Sequence, residues 1–171
     1  KIARLDPIKP HPPGINISIG NYMDLTIAIP VKNEKNNIKE IIDSVKKEIN
    51  IPYEILFIDD LSDDNTYEII KNFQNQINEI NIVKNEINGL GQSIKNAIKF
   101  SKGKYLCIMM CDGSDDLKDL NRYYTIIKND NLDAVFGSRF LKDSKISGYP
   151  KIKFFLNRIF NYFVSLIYLN R

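Results

Sequence analysis

Two cysteines and one histidine in 171 residues are too few soft ligands for a zinc-type set. Cys107 and Cys111 lie four apart in or beside one apolar stretch, poor geometry for a disulfide. Both are therefore expected as reduced core thiols, which points to a cytosolic compartment. No apolar run approaches the roughly 20 residues that a membrane-spanning helix needs, and no segment reads as a signal peptide. Internal repeats and low-complexity tracts are missing too. A hydrophobic content of 43% over 171 residues suits one domain with a real core.

What is present divides the chain in three. Residues 1–22, with "DPIKPHPPG", hold most of the prolines and His11 and read as an extended arm or leader before Met23. A body follows over 23–148. In it "DLTIAIPV" (24–31), "EILFID" (54–59), "INIVKN" (80–85), "KYLCIMM" (104–110) and "DAVFGS" (133–138) read as strands. Helices are expected between them. Ile38, Ile41, Ile42, Val45 and Ile49 recur at helical spacing over 36–49, Ile69, Ile70, Phe73 and Ile77 do so over 64–77, a third helix is entered through Gly89 and Gly91, and a fourth covers 117–128. Strand and helix alternating in this rhythm predict an α/β fold, a mostly parallel sheet sandwiched by helices.

The third part, 149–171, reads as a helix apolar over most of its circumference. Lys153, Asn157, Asn161 and Ser165 form a narrow polar stripe, with Arg158 beside it. Such a helix is a buried core helix, an oligomer interface or a membrane-interface helix, and the interface readings are preferred. Charge is uneven along the chain. From Arg139 to Arg171 there are seven basic residues against Asp143, which out of totals of 24 and 21 leaves 17 basic and 20 acidic residues before position 139. A basic tail on an acidic body suggests an anionic partner such as a membrane surface. No nucleic-acid partner is expected.

In "EILFIDDLSDDNT" (54–66), Asp59, Asp60, Asp63 and Asp64 place four carboxylates within six positions. Ser62, Asp63 and Asp64 suit the cap and first turn of a helix, but Asp59 and Asp60 fall on the strand side of the turn. Pro30 to Glu34, Asp112 to Asp116 and Ser138–Arg139 also follow predicted strands. In a parallel sheet these ends share one rim, where ligands bind. An acidic rim meets a diphosphate through a divalent cation, and meets a base or ribose by accepting its hydrogen bonds. Calcium-loop, dinucleotide-fold and phosphoreceiver readings fail on spacing. A calcium loop starting at Asp60, for example, would put Asn65 and Lys71 where Gly and Glu are required.

The order and spacing of four segments resemble the GT-A fold, family 2 glycosyltransferases, in particular their polyprenyl-phosphate (dolichyl-phosphate mannose synthase-like) branch. "IPVKNEKNNI" is similar to the family's P-x-Y-N-E-x-x-N-I, with Lys32 in place of Tyr. "YEILFIDDLSDDNT" matches its E-I-I-x-V-D-D-G-S-x-D-x-T, with Leu61 in place of Gly. "NGLGQSIKNAI" and "FGSRF" match two further segments. The resemblance implies a metal-dependent inverting transferase that takes a sugar from a nucleotide-diphosphate donor. The acceptor it implies is a polyprenyl phosphate at the cytosolic membrane face.

Pro30, Lys32, Glu34, Ile58, Asp60, Gly89, Gly91 and Asp112 would then bind the nucleotide. Asp112, with Ser114 beside it, would hold Mg2+ or Mn2+, and Arg139 would hold phosphate oxygens. The family's D-x-D is here Met110-Cys111-Asp112, so the first carboxylate is missing. Asp115 and Asp116 either supplement the site or cap the helix over 117–128. Lys153, Arg158 and Asn161 would meet the acceptor phosphate. The competing reading is a nucleotide-binding scaffold without turnover; a transferase with a soluble saccharide acceptor is a further alternative.

Overall fold

A computed structural model describes residues 23–137 and 151–169. The arm over 1–22 and the stretch over 138–150, with Ser138 and Arg139, lie outside the described residues. The chain divides into two units, Lys1–Ala134 and Val135–Arg171.

The first unit runs β1 (Leu25–Val31), α1 (Ile38–Glu48), β2 (Tyr53–Asp59), α2 (Thr66–Gln76), β3 (Ile80–Lys84), α3 (Leu90–Phe100), β4 (Tyr105–Ile108) and α4 (Leu117–Asn129). Its four strands form an all-parallel sheet in the order β3-β2-β1-β4. Every residue of β1 is buried, as is all of β2 after Tyr53, because helices cover both faces.

The two faces follow from strand alternation. Ile27, Ile29, Ile55 and Phe57 pack with Ile38, Ile41, Ile42 and Val45 of α1, Ile70 of α2 and Leu117 and Leu120 of α4. Ala28, Leu56 and Ile58 turn the other way, onto Ala97 of α3. Right-handed crossovers explain this split. The chain steps one way from β1 to β2 to β3, then returns past β1 to β4, so the returning helix falls on the opposite face. The reversal opens a crevice between the C-terminal ends of β1 and β4.

Pro30 keeps that crevice open. The Met109 N–H donates to the Ala28 carbonyl at 3.0 Å. The next bond of a parallel ladder would need an N–H from residue 30, and proline has none. The β1–β4 pairing accordingly ends at Ala28 with Ile108, and β4 is shorter than the run 104–110. At the opposite end of the sheet Gly103 lies against the backbone of β1. A Cβ there would come within 2.5 Å of the Thr26 nitrogen, so the approach requires glycine.

Two expectations need correction. Residues 133–137 form no strand, so the described sheet has four strands. The acidic turn also lies before α2, which begins at Thr66. The second unit contains α5 (Lys151–Leu169), a 19-residue helix. Ile152, Phe155, Phe160, Tyr162, Phe163 and Tyr168 on it are exposed. Among the described residues no helix is long and apolar enough to cross a membrane.

Candidate functional site

Three strand ends deliver carboxylates to the rim. Asn37, whose Nδ2 donates to Glu34, lines one cavity with Cys111 and Asp112, which makes neighbours of the segments leaving β1 and β4. Burial pushes the Cys111 thiol up to about 12, and the carboxylates of Glu34 and Asp112 push it the same way. Asp60 follows β2, whose Asp59 is in register with Val31 of β1, and its N–H donates to the Val31 carbonyl at 2.8 Å.

The loops after β1 and β2 hold each other. Asn33 donates its backbone N–H to Ser62 Oγ at 3.0 Å, and its Oδ1 accepts the Asp63 N–H at 2.9 Å. The Glu34 N–H donates to Thr66 Oγ1 at 2.9 Å, while Glu34 Oε2 accepts from Asn37 Nδ2 at 2.6 Å. Asn33 and Leu61 both have a φ of 58°. Asparagine tolerates this left-handed region, but leucine does so only with strain. Leu61 thus stands where the resembled family carries glycine, in the backbone conformation that favours glycine.

Of the three residues expected at the cap and first turn none is the cap, which is Asn65; Asp64 accepts the Thr66 N–H at 2.9 Å from just before it. The Thr66 hydroxyl bond, foremost, holds the Asp64 carboxyl below its ordinary value.

Asp60 is nearly buried, at 8% exposure. Its Oδ1 accepts from Asn85 Nδ2 and from the Gly89 N–H, both at 2.7 Å; Oδ2 takes no bond among the described residues. Gly89 has a φ of 136°, which a side chain would strain. Gly91 is exposed in the first turn of α3, and Lys32 is exposed beyond β1. Ile58 is fully buried in the α3-side cluster, so only its backbone can meet a ligand. Asp59 is fully buried too. Its Oδ1 accepts the Ser62 N–H at 3.3 Å, and its Oδ2 has no partner among the described residues.

Asp112, Ser114, Asp115 and Asp116 are exposed beyond β4. Asp112 Oδ1 accepts the Ser114 N–H at 3.0 Å. Asp115 Oδ2 accepts the Met110 N–H at 3.0 Å, which brings a carboxylate beside the position where the D-x-D lacks one. Asp116 caps α4 by accepting the Lys118 N–H at 2.9 Å. A cavity of about 430 Å³ opens between this segment and α1, lined among others by Asn37, Glu40, Ser44, Asp112 and Ser114.

Among the described residues no three His, Cys, Asp or Glu side chains gather into a metal cage. The donors present are oxygens, which suit a hard cation held by one or two carboxylates together with substrate phosphates. A shared site of that kind fits these residues; an all-protein site does not. Lys153, Arg158 and Asn161 lie on α5, in the second unit.

Asn85, which bonds Asp60, and Ser93 and Asn96, which bond Asn85, escape sequence reasoning, because a polar residue at a strand end or inside a helix carries no periodic signal. The rim rule could have flagged Asn85, the first residue after β3.

Residues 26–170 match the family model for glycosyl transferase family 2. A dolichyl-phosphate beta-glucosyltransferase of Dictyostelium discoideum is 31% identical over 129 residues, covering 67% of this chain and 39% of that protein. A poly(ribitol-phosphate) beta-glucosyltransferase of Bacillus spizizenii is 30% identical over 137 residues, 77% of this chain and 21% of that protein. The chain thus spans well under half the length of these relatives.

Among solved structures, S. aureus TarS 1–349 in complex with UDP superposes with a TM-score of 0.57 at 20% identity, over 71% of this chain and 40% of that one. Glucosyl-3-phosphoglycerate synthase from Mycobacterium tuberculosis, in complex with Mn2+, UDP-glucose and phosphoglyceric acid, gives 0.51 at 16% identity, over 61% and 39%. Likeness at such identities establishes the fold, which is GT-A. With the family match running through that fold from residue 26 to residue 170, the chain belongs to glycosyl transferase family 2.

Proposed function

We propose that this chain is the donor-binding part of a metal-dependent, inverting glycosyltransferase. It moves a sugar from a nucleotide diphosphate to a polyprenyl phosphate at the cytosolic face of a membrane. The observation that carries this reading is that Glu34, Asp60 and Asp112 follow the C-terminal ends of three strands of one parallel sheet, in a chain of family 2.

Asp60, with one oxygen held by two donors, offers the other to an N–H or O–H of the nucleoside. Pro30 and Glu34 come from the neighbouring strand β1 and the loop that leaves it, whose Val31 carbonyl accepts the Asp60 N–H. Asp112, supplemented by Ser114 and Asp115, would share a Mg2+ or Mn2+ ion with the diphosphate. When bound, that ion neutralises charge on the departing diphosphate. Arg139 is assigned the same task.

A lipid phosphate is already anionic near neutral pH and needs no strong general base. Its oxygen bonds to the anomeric carbon as the bond from that carbon to the diphosphate breaks, with inversion. The protein's work is then alignment and electrostatic stabilisation. Support for a lipid acceptor comes from the name of the Dictyostelium relative and from α5. Its exposed aromatics suit an interface, and each Lys or Arg adds about 1 kcal/mol near an anionic surface. The name of the Bacillus relative favours a second reading, a polymeric polyol phosphate acceptor.

The test is transfer from labelled UDP-glucose and GDP-mannose to polyprenyl phosphate in anionic liposomes. Lys153→Glu with Arg158→Glu should keep nucleotide binding but lose liposome binding and lipid transfer. Transfer to a soluble acceptor that survives in this double variant overturns the lipid assignment and leaves the glycosyltransferase one standing.

A further inference from the structure

We infer that Asn85 is a positioning residue for the nucleotide, holding Asp60 in the one orientation that leaves Oδ2 for the ligand. This rests on the reading of Asp60 as a nucleoside contact.

Asn85 is 2% exposed, directly after β3. Its backbone N–H donates to the Asp59 carbonyl at 2.8 Å, which ties it to the end of β2. Its Nδ2 donates to Asp60 Oδ1 at 2.7 Å and to Ser93 Oγ at 2.8 Å. Its Oδ1 accepts from Asn96 Nδ2 at 2.8 Å. Both ends of the amide are therefore committed. The orientation is fixed by chemistry as well: an ionised carboxylate only accepts, so the NH2 end must face Asp60. A flipped amide would set oxygen against oxygen.

Gly89 supplies the second donor to the same atom. Two donors on Oδ1 stop the carboxylate from rotating. They also leave one acceptor oxygen unspent. Asn85 thus links the ends of β2 and β3 to α3, the polar atoms of its side chain all have partners, and its output is the direction of Asp60. A purely structural tether would hold α3 to the sheet equally well without Asp60.

The two roles separate in a pH profile. In Asn85→Asp two carboxylates face each other. At high pH both are charged and Asp60 loses a donor; at low pH one shared proton restores an O–H to O contact. The experiment is calorimetric titration of UDP and of GDP, each with Mn2+, into the parent chain and the variant. Reporting the ratio of dissociation constants at each pH divides out titration of the nucleotide. The expected ratio is about tenfold or more near pH 8, falling severalfold towards pH 5.5. A ratio flat across this range, whether large or near one, overturns the inference.

If Asn85→Asp does not fold, Asn96→Ala carries the test. It keeps the Asn85–Asp60 pair but strips Asn85 Oδ1 of its partner, so the amide is held less firmly against Asp60 and affinity should fall about threefold or more; unchanged affinity overturns the inference. Asp60→Asn distinguishes the two layers of the claim. Full nucleotide affinity in Asp60→Asn defeats the nucleoside reading itself. Lost affinity there with a flat Asn85→Asp profile defeats only the role of Asn85.

Discussion

The backbone N–H of Glu34 donates to the hydroxyl of Thr66 across 2.9 Å, binding the loop that leaves β1 to the first residue of α2. Thr66 is fully buried, and its hydroxyl in turn donates to Asp64. Thr66→Val keeps the shape but removes both bonds. A loss of about 1–3 kcal/mol in urea unfolding is expected, together with weaker nucleotide binding as Glu34 shifts. A variant as stable as the parent would mean that the loops do not depend on this contact.

Asp64 gives that corner a pH signature. Its carboxyl lies below the ordinary 3.8, first through the Thr66 hydroxyl bond, with Lys35 contributing in the same direction. A depressed folded-state value adds stability above pH 3.8, and that stability is lost as pH falls through the folded-state value. The melting temperature of Asp64→Ala should therefore trail the parent at neutral pH and converge with it in strong acid. A gap that stays constant down to the acid limit would contradict this.

Leu61 tests the strain. Its φ of 58° costs a residue with a Cβ about 1–2 kcal/mol, partly balanced by the roughly 0.5–1 kcal/mol that glycine loses in chain entropy. At 38% exposure the leucine side chain adds little burial. Leu61→Gly should be neutral to about 1 kcal/mol stabilising, whereas Leu61→Val, branched at Cβ, should destabilise. Denaturant midpoints decide. A clear loss with glycine would show that the leucine side chain holds the loop.

Element types were legible in the sequence wherever a period was strong. The apolar spacing of Ile38, Ile41, Ile42 and Val45 marked α1, and unbroken apolar runs marked β1 and β2. The rim was legible as well, because parallel topology gathers strand ends. What failed was set by contacts distant in sequence. "DAVFGS" has strand composition, yet 133–137 pair with no strand. Asp63 and Asp64 are equivalent in sequence, and only the reach of Thr66 separates them. Asn85 became visible once folding brought Asp60, Ser93 and Asn96 around it.

The two cysteines should be inert. Burial pushes the Cys107 thiol up to about 11 and the Cys111 thiol up to about 12, so almost no thiolate exists at neutral pH. Alkylation of the folded protein at about pH 7.5 should be about 100-fold or more slower than in urea. Raised folded-state values also mean that this contribution to stability is complete below 9.0 and lost as pH rises towards the folded values. Rapid labelling of the native state would show either thiol to be accessible and ionised.

The most direct measurement is calorimetric titration of UDP and GDP, with and without Mn2+, into the parent chain, Asp112→Ala and Asp60→Asn, with circular dichroism to verify folding. The expected result is that Asp112→Ala stays folded and loses the Mn2+-dependent part of the affinity, while Asp60→Asn binds more weakly whether or not Mn2+ is present. Unchanged Mn2+-dependent affinity in folded Asp112→Ala would contradict the assignment of the cation to the end of β4.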